Sequence, residues 1–412
     1  MRIFFKAFFL LLAGFSLCKA QSREVPPVLI VVSIDGYRYD YTNLYQPPNL
    51  LKIRNSGSYS ERMNPAYPSK TFPNHYTLAT GLYPGEHGIV DNTFFDKKKG
   101  ETFRVGDRAK VEDAYWYGGE PIWNTAKKNG LKAASYFWVG SEAPVNGSFP
   151  DYFFKYDETV PYEKRIEQAF RWIDMPENER PSLIMLYFEN VDNAGHNFAP
   201  NSKEVKNAIH KTDSVIGKLV AGLDERGVPY NLIITSDHGM LAYNTKDDAL
   251  SFKDLIDRVT FPLLRVQNNQ FQIHINPLFR KHRKAIYNQL KSLGEGKYDV
   301  YLRKETPKHW YYRGNERVGE ILIVPKSPYF FFKDRIPEEN EIKGNHGPDP
   351  EVVPEMRTII YAKGHDIKSG VVLDNLENVE LYPFMCELLR IPVKGIHKKR
   401  YKELKKLIDI KP

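Results

Sequence analysis

The sequence predicts an α/β protein: a mostly parallel central sheet with helices on both faces, plus a smaller α+β insertion. Three observations predict it. Apolar, β-branched runs at Val28–Ile34, Leu183–Phe188 and 232–234 have the texture of strands buried on both faces. Each run ends in a polar cluster, and stretches of helical periodicity lie between the runs. With 412 residues, 42% hydrophobic and 27% charged, the chain can bury a large core, which excludes disorder, collagen-like repetition and a disulfide miniprotein.

In chain order, residues 1–20 read as an export signal, with Arg2 and Lys6 as a positive start, an apolar run over 7–17 and Ala20 as the small residue before cleavage. The run is too short to serve as a transmembrane segment. Cys18 raises lipid attachment, but Leu17 stands where a small residue would precede a lipid-modified Cys, so soluble export is the reading taken. Cleavage removes three cations and no acid, lowering the net charge from +8 to +5, and leaves Cys386 alone. A lone cysteine excludes an intramolecular disulfide and fits a bacterial periplasmic protein.

The first strand, Val28–Ile34, leads into Asp35-Gly36. Residues 74–80 read as a helix with Thr71 just ahead of it, and 121–129 as a helix with Pro121 in its first turn, followed by a strand over 132–138. Leu183–Phe188 precedes a polar stretch, 189–196, and residues 202–226 carry Val205, Ile209, Val215, Ile216, Leu219 and Leu223 at near-helical spacing. Within 242–343 the texture changes to an α+β insertion: helical at 252–259 and 277–293, extended at 271–275, 298–302 and 321–324. The catalytic domain is read as 21–412 with this insertion inside it, closed by a strand at 356–362 and a helix at 378–389. Near the C-terminus, His397, Lys398, Lys399, Arg400, Lys402, Lys405 and Lys406 crowd together; with Tyr401, Leu404 and Leu407 as an apolar stripe, they read as the solvated face of a terminal helix. No specific nucleic-acid partner is expected.

The acids and histidines at the strand ends carry the chemistry. Asp35, Asp192, His196, Asp237, His238 and His346 supply three carboxylates and three imidazoles, a full ligand set for two zinc-class ions. Singly each has a bland reading: Asp192 and His196 as a surface ion pair, Asp237-His238 as a strand-end turn, His346 as a satisfied core histidine. Their joint placement after buried strands favours the metal reading, because ligands in such sheets bind beyond the strand carboxyl ends. Thr71 reads either as an ordinary N-cap or as a hydroxyl at a helix N-terminus, where amides and the dipole stabilise negative charge. A neighbouring metal would make it a nucleophile, as zinc lowers the pKa of bound water from about 15.7 to about 7.

Asp35-Gly36-Tyr37-Arg38, Thr71-Phe72-Pro73-Asn74-His75, the stretch 81–92 ending in Asp91-Asn92, Asp192-x-x-x-His196, Asp237-His238-Gly239 and His346 occur in the order seen in nucleotide pyrophosphatase/phosphodiesterases. The chain thus resembles that family of the alkaline phosphatase superfamily from about residue 28 to about residue 390, and it looks like a bare bacterial catalytic domain. The resemblance implies an alkaline phosphatase-like sheet and two Zn²⁺ ions, one held by Asp192, His196 and His346, the other by Asp35, Asp237 and His238 with Thr71 beside it as nucleophile. It further implies Asn92 as donor to a non-bridging phosphate oxygen, Phe72 lining the leaving or nucleoside group, and Tyr187 stacking on a base.

Two zinc ions and three carboxylates leave about +1, a match for a singly charged phosphodiester. Asn92 is neutral where alkaline phosphatases use arginine, and Arg38 reads as a structural ion pair, so diesters are expected over monoesters. The expected activity is hydrolysis of phosphodiester or pyrophosphate bonds in nucleotides and related diesters through a covalent threonine intermediate. The alternatives on the same zinc core are a choline-type glycerophosphodiester or lysophospholipid phosphodiesterase, a phosphonate hydrolase, and a metal-binding relative without turnover.

Overall fold

The computed structural model describes residues 26–332, 336–393 and 400–410. The expected export signal, Cys18, and His397, Lys398 and Lys399 of the basic run lie outside the described residues. An eight-stranded sheet forms the centre. Its strands in chain order are β1 (Val28–Ile34), β2 (Ser58–Asn64), β3 (Ala133–Tyr136), β4 (Tyr152–Phe154), β5 (Leu183–Phe188), β6 (Tyr230–Thr235), β7 (Thr358–Gly364) and β8 (Leu376–Glu377), and the spatial order is β8-β2-β7-β6-β1-β5-β3-β4. Only β7 runs against the others, pairing antiparallel with both β2 and β6.

β1 sits at the middle and is buried along its whole length, as its unbroken apolar run requires. Leu29 and Val31 pack on one face with the aromatic core around Trp116, Trp123 and Tyr76, while Ile30, Val32 and Ile34 pack on the other with the long helix α3. Three helices matter for the site: α1 (Thr71–Thr80), α2 (Asn190–Phe198) and α3 (Lys203–Arg226). α3 begins where Ser202 accepts a hydrogen bond from the Val205 amide and ends on left-handed Gly227, an N-cap and C-cap pair that brackets the periodic stretch.

Some boundaries differ from the sequence expectation for physical reasons. α1 starts at Thr71 rather than Asn74, because Pro73 falls in the first turn, where its missing N–H costs no intrahelical bond. Pro121 stands just ahead of its helix, Ile122–Lys128, instead of in the first turn. In place of a terminal helix, 404–407 form a single 3₁₀ turn whose Leu404 and Leu407 are fully buried in the core, so the apolar stripe docks without extending a helix. Cys386 is buried and free. Among the described residues no helix is long and apolar enough to cross a membrane.

The insertion builds its own four-stranded sheet from Leu263–Asn268, Ile273–Pro277, Tyr298–Leu302 and Ile321–Pro325. The helix expected over 277–293 is confined to Arg283–Ser292, since Pro277 ends a strand. The chain enters and leaves this unit side by side, because Leu241–Asn244 pairs antiparallel with Ile342–Asn345. That pairing returns the chain beside α2, with His346 next in line.

Candidate active site and metal centre

Strand register assembles the acids. Ser33 of β1 stands level with Thr235 of β6 and with Tyr187 of β5, so Asp35 and Asp237, two residues on, emerge together at the carboxyl end of the sheet. Gly36 follows in the left-handed conformation, and its amide donates to Asp237 Oδ1 at 3.2 Å. A Cβ at Gly36 would lie 2.9 Å from Asp192 Cα, so the missing side chain is what lets the first turn of α2 bring Asp192 beside Asp35. Gly344 does the same on the other side, where a Cβ would stand 2.2 Å from the Gly195 carbonyl.

Each imidazole is anchored by its Nδ1–H on a backbone carbonyl: His196 on Gly344 at 2.9 Å, His238 on Gly239 at 3.0 Å, His346 on Ser69 at 2.7 Å. A carbonyl only accepts, so Nδ1 carries a proton and Nε2 is the nitrogen that faces inward, the arrangement of metal-ligating histidines. His238 Nε2 lies 3.3 Å from Asp35 Oδ1 and 3.0 Å from Asp237 Oδ2. Asp192 lies between His196 Nε2, 3.5 Å from its Oδ2, and His346 Nε2, 3.8 Å from its Oδ1. Ligand atoms of Asp35, Asp237 and His238 fall within 4.8 Å of one another, as do those of Asp192, His238 and His346. The His238 and His346 rings stack at 3.5 Å, which joins the two groups into one centre.

Three buried oxygens in this centre, Asp35 Oδ1, Asp192 Oδ1 and Asp237 Oδ2, have no hydrogen-bond partner. Buried carboxylate oxygens without partners cost free energy, and a cation is the group that would satisfy all three. The electrostatics agree. Burial, then the carboxylates of Asp237 and Asp192, push the Asp35 carboxyl well above the usual range. Burial opposes ionisation of Asp237 too, but the His238 and His75 imidazoles outweigh it and hold that carboxyl well below the range. Burial, then His238, Lys70 and His196, hold His346 well below the ordinary imidazole value, so it stays neutral as a ligand must. The donor set, three carboxylates and three neutral-capable imidazoles, fits divalent zinc-class ions.

Thr71 is the first residue of α1, whose N-cap is Lys70, so its hydroxyl is not spent on capping. It lies 3.2 Å from His238 Nε2, at the edge of the centre. Asn92 is 20 residues from Phe72 in sequence, yet its Oδ1 accepts from the Phe72 amide at 3.1 Å, which leaves Nδ2 as the donor end of the side chain. Phe72 is half-buried, its ring 6.0 Å from Phe103. Arg38 grips Asp40 with Nε at 2.6 Å and Nη2 at 2.9 Å, the structural ion pair expected of it.

Tyr187 is placed otherwise than expected. Its ring is buried, edge-on to His75 and Tyr156, and its hydroxyl donates to Asp35 Oδ2 at 2.5 Å. It faces inward because residue 187 lies inside β5, one residue short of the strand end. The contact that its polar end makes is with Asp35, one of the ligand candidates. Tyr156, half-buried, is the more exposed of the pair. His75 was not singled out as a site residue by the sequence reading. One turn along α1 from Thr71, its Nδ1–H faces the Thr71 carbonyl at 3.0 Å and Asp237 Oδ2 at 3.3 Å, and its Nε2 meets Ser33 Oγ at 2.9 Å. Its i, i+4 spacing from Thr71 was the available signal.

A family model described as type I phosphodiesterase / nucleotide pyrophosphatase matches residues 29–349. Venom phosphodiesterase CdcPDE of Crotalus durissus collilineatus is 33% identical over 398 residues, covering 93% of this chain and 47% of that protein. Ectonucleotide pyrophosphatase/phosphodiesterase family member 3 of Rattus norvegicus is 35% identical over 388 residues, covering 92% and 44%. The chain thus spans about half the length of the curated relatives it matches. Among solved structures, murine ectonucleotide pyrophosphatase / phosphodiesterase 5, in an inactive threonine-to-alanine form in complex with AMP, superposes with a TM-score of 0.84 at 27% identity, covering 93% of this chain and 100% of that one. Matched over most of its length by the family model and in three dimensions by a member's structure, the chain belongs to the type I phosphodiesterase / nucleotide pyrophosphatase family.

Proposed function

We propose that the chain is a zinc-dependent phosphodiesterase that cleaves phosphodiester or pyrophosphate bonds in nucleotides, with Thr71 as nucleophile. The observation that carries this reading is the Thr71 hydroxyl, uncommitted to capping and 3.2 Å from His238 Nε2, beside carboxylates whose buried oxygens lack partners. The names of the relatives support the substrate class, as does the AMP complex of the murine structure, whose inactive form replaces a threonine.

Asp192, His196 and His346 would hold one zinc ion and Asp35, Asp237 and His238 the other. Zinc bound there would supply Lewis acidity for the nucleophile and the leaving oxygen. The chain's own residues do the rest. Thr71 Oγ1 attacks phosphorus in line as the bond to the leaving oxygen breaks, its proton ending on that departing oxygen, and a phosphothreonine diester forms; water then attacks the same phosphorus, the bond to Oγ1 breaks, and Thr71 takes up one of the water's protons. Asn92 Nδ2 donates to the non-bridging oxygen where charge develops, and the N-terminus of α1 adds its dipole. His75 orients both the Thr71 carbonyl and Asp237. Phe72 and the half-buried Tyr156 are the aromatics offered to a nucleoside. We place this activity outside the cytoplasm, in a bacterial periplasm, on the leader-like residues 1–20 and on Cys386, the single cysteine left once that leader is removed.

The test is a panel of a chromogenic phosphodiester, a 5′-nucleotide diester, a dinucleoside polyphosphate, glycerophosphocholine and a chromogenic monoester, run before and after chelation and zinc readdition. Nucleotide diesters should turn over fastest, activity should vanish with chelator and return with zinc, and Thr71→Ala should lose turnover while keeping its zinc. Undiminished hydrolysis by Thr71→Ala, or a preference for glycerophosphocholine, overturns the reading.

A further inference from the structure

One residue of the insertion, Gln272, reaches the loops that carry the site. We infer that Gln272 is a positioning residue: its side-chain amide holds Asp91, and through Asp91 sets the orientation in which Asn92 meets the substrate. The inference deepens the phosphodiesterase reading and rests on it for the role of Asn92.

Gln272 is buried just ahead of strand Ile273–Pro277. Its Nε2 donates to Asp91 Oδ2 and to the Tyr312 hydroxyl at 3.2 Å, while its Oε1 accepts from the Tyr67 hydroxyl at 2.8 Å. Asp91 is fully buried, and its other oxygen accepts the Asn92 backbone amide at 2.7 Å. The next link is the Asn92 side chain, whose Oδ1 takes the Phe72 amide one residue after Thr71, an anchor that fixes the side chain beside the start of α1. Tyr312 donates to the Val90 carbonyl, which pins the loop from its other side.

Chemistry allows this network only one way round. The Val90 carbonyl accepts and cannot donate, so Tyr312 gives its proton there and must receive one from Gln272 Nε2; that turns Oε1 to Tyr67. His274 completes the enclosure. Its Nδ1 accepts from the Gly319 amide at 3.1 Å, so its proton sits on Nε2, 3.5 Å from Asp91 Oδ2. Neighbouring residues brace the same loops: Asn269 donates to the Thr93 carbonyl at 2.9 Å, and Gln270 Oε1 accepts from Asn345 at 2.6 Å, beside His346. The segment 269–274 thus ties the Asn92 loop, the approach to Thr71 and the His346 loop to one strand of the insertion.

Without the Nε2 donor, a buried carboxylate oxygen loses its main partner and the 90–93 loop is free to shift. Gln272→Glu keeps the size and the acceptor for Tyr67 but sets a carboxylate against Asp91; Gln272→Met keeps the bulk and removes both polar ends. With a chromogenic phosphodiester, kcat should fall by about 10- to 100-fold with KM nearly unchanged, the cost of an ångström-scale misplacement. Placed on Asn92→Ala, the same substitutions should cost less than about threefold, because the group they position is gone. Backbone amide exchange over residues 90–93 should quicken in both variants, and zinc content should not change. An equal loss in the two backgrounds, or unaltered exchange in a folded variant, overturns the inference. Should Gln272→Met not accumulate folded, Gln272→Glu carries the test. Exchange is read without turnover, so a wild-type protein that hydrolyses no diester would sink the phosphodiesterase reading while the bracing by Gln272 is still decided.

Discussion

Tyr187→Phe removes one hydroxyl from beneath the candidate metal centre and nothing from its aromatic packing. That hydroxyl is the hydrogen-bond donor to Asp35 Oδ2, at 2.5 Å, inside a fully buried environment. A hydrogen bond to a charged group contributes about 1.5–3 kcal/mol. The loss falls mainly on the zinc-bound state. In the metal-free protein Asp35 can escape by taking a proton, since burial and the carboxylates of Asp237 and Asp192 already raise its pKa, whereas a bound ion requires it ionised. At about 1.4 kcal/mol per tenfold, zinc affinity should weaken by about 10- to 100-fold, the range seen when a ligand loses its outer partner. Competition with a chromophoric chelator at neutral pH measures this, beside KM for a nucleotide diester and for a small non-nucleotide diester. Unchanged zinc affinity with KM raised only for the nucleotide would refute the reasoning and return Tyr187 to a stacking role.

Asn92→Ala should lower kcat by about 10²- to 10³-fold, as loss of an oxyanion donor does, and steady-state kinetics that show no more than about a twofold loss would remove Asn92 from the mechanism. Gly36→Ala places a Cβ 2.9 Å from Asp192 Cα at a left-handed φ of 68°, so elemental analysis should find less than the full zinc complement; full zinc and full activity would count against the packing argument. His87 is buried between Thr77 and the Ile89 amide, and burial lowers its pKa from 6.5 to about 3. Its folded value is below its unfolded one, so its contribution is complete above pH 6.5 and is lost as pH falls toward the folded value. The loss runs at about 1.4 kcal/mol per pH unit once the unfolded chain is protonated. Urea titrations between pH 6.5 and 5 should show a shallower slope in His87→Gln by about one proton; parallel slopes would contradict a neutral His87.

Legibility followed burial. β1 and β5 stood out because strands covered on both faces must be apolar throughout, while β2, with Glu61 and Arg62 near one edge of the sheet, carries too many polar residues to stand out by that criterion. The helix Tyr162–Ile173 was passed over although Ile166, Ala169, Trp172 and Ile173 line its buried side. The six ligand candidates could be found because Asp35 and Asp237-His238 directly follow buried apolar runs, Asp192 and His196 come shortly after a third, and His346 stands between polar and glycine neighbours. Their supporting contacts could not: Tyr187 was read as a base-stacking residue and His75 was not singled out, and the contacts both make depend on strand register and on a helix that begins three residues earlier than expected. Gln272 was equally hidden, since nothing in its neighbourhood marks it as reaching Asp91, 181 residues away.

The proposed preference for diesters rests on where the cations are spent. Arg38 is bound at both ends of its guanidinium edge by Asp40 and also donates to Asn201 at 3.1 Å, so it is not free to meet a phosphoryl oxygen. Lys70, buried against Gly347 and Phe271, acts on His346, whose imidazole its charge helps keep neutral. The group anchored next to Thr71 is the neutral side-chain amide of Asn92, whose Oδ1 holds the Phe72 amide and whose backbone N–H is held by Asp91. A neutral donor stabilises the oxygen on which charge develops without rewarding a second full charge in the ground state, so binding favours the singly charged ester and the gain is kept for the transition state.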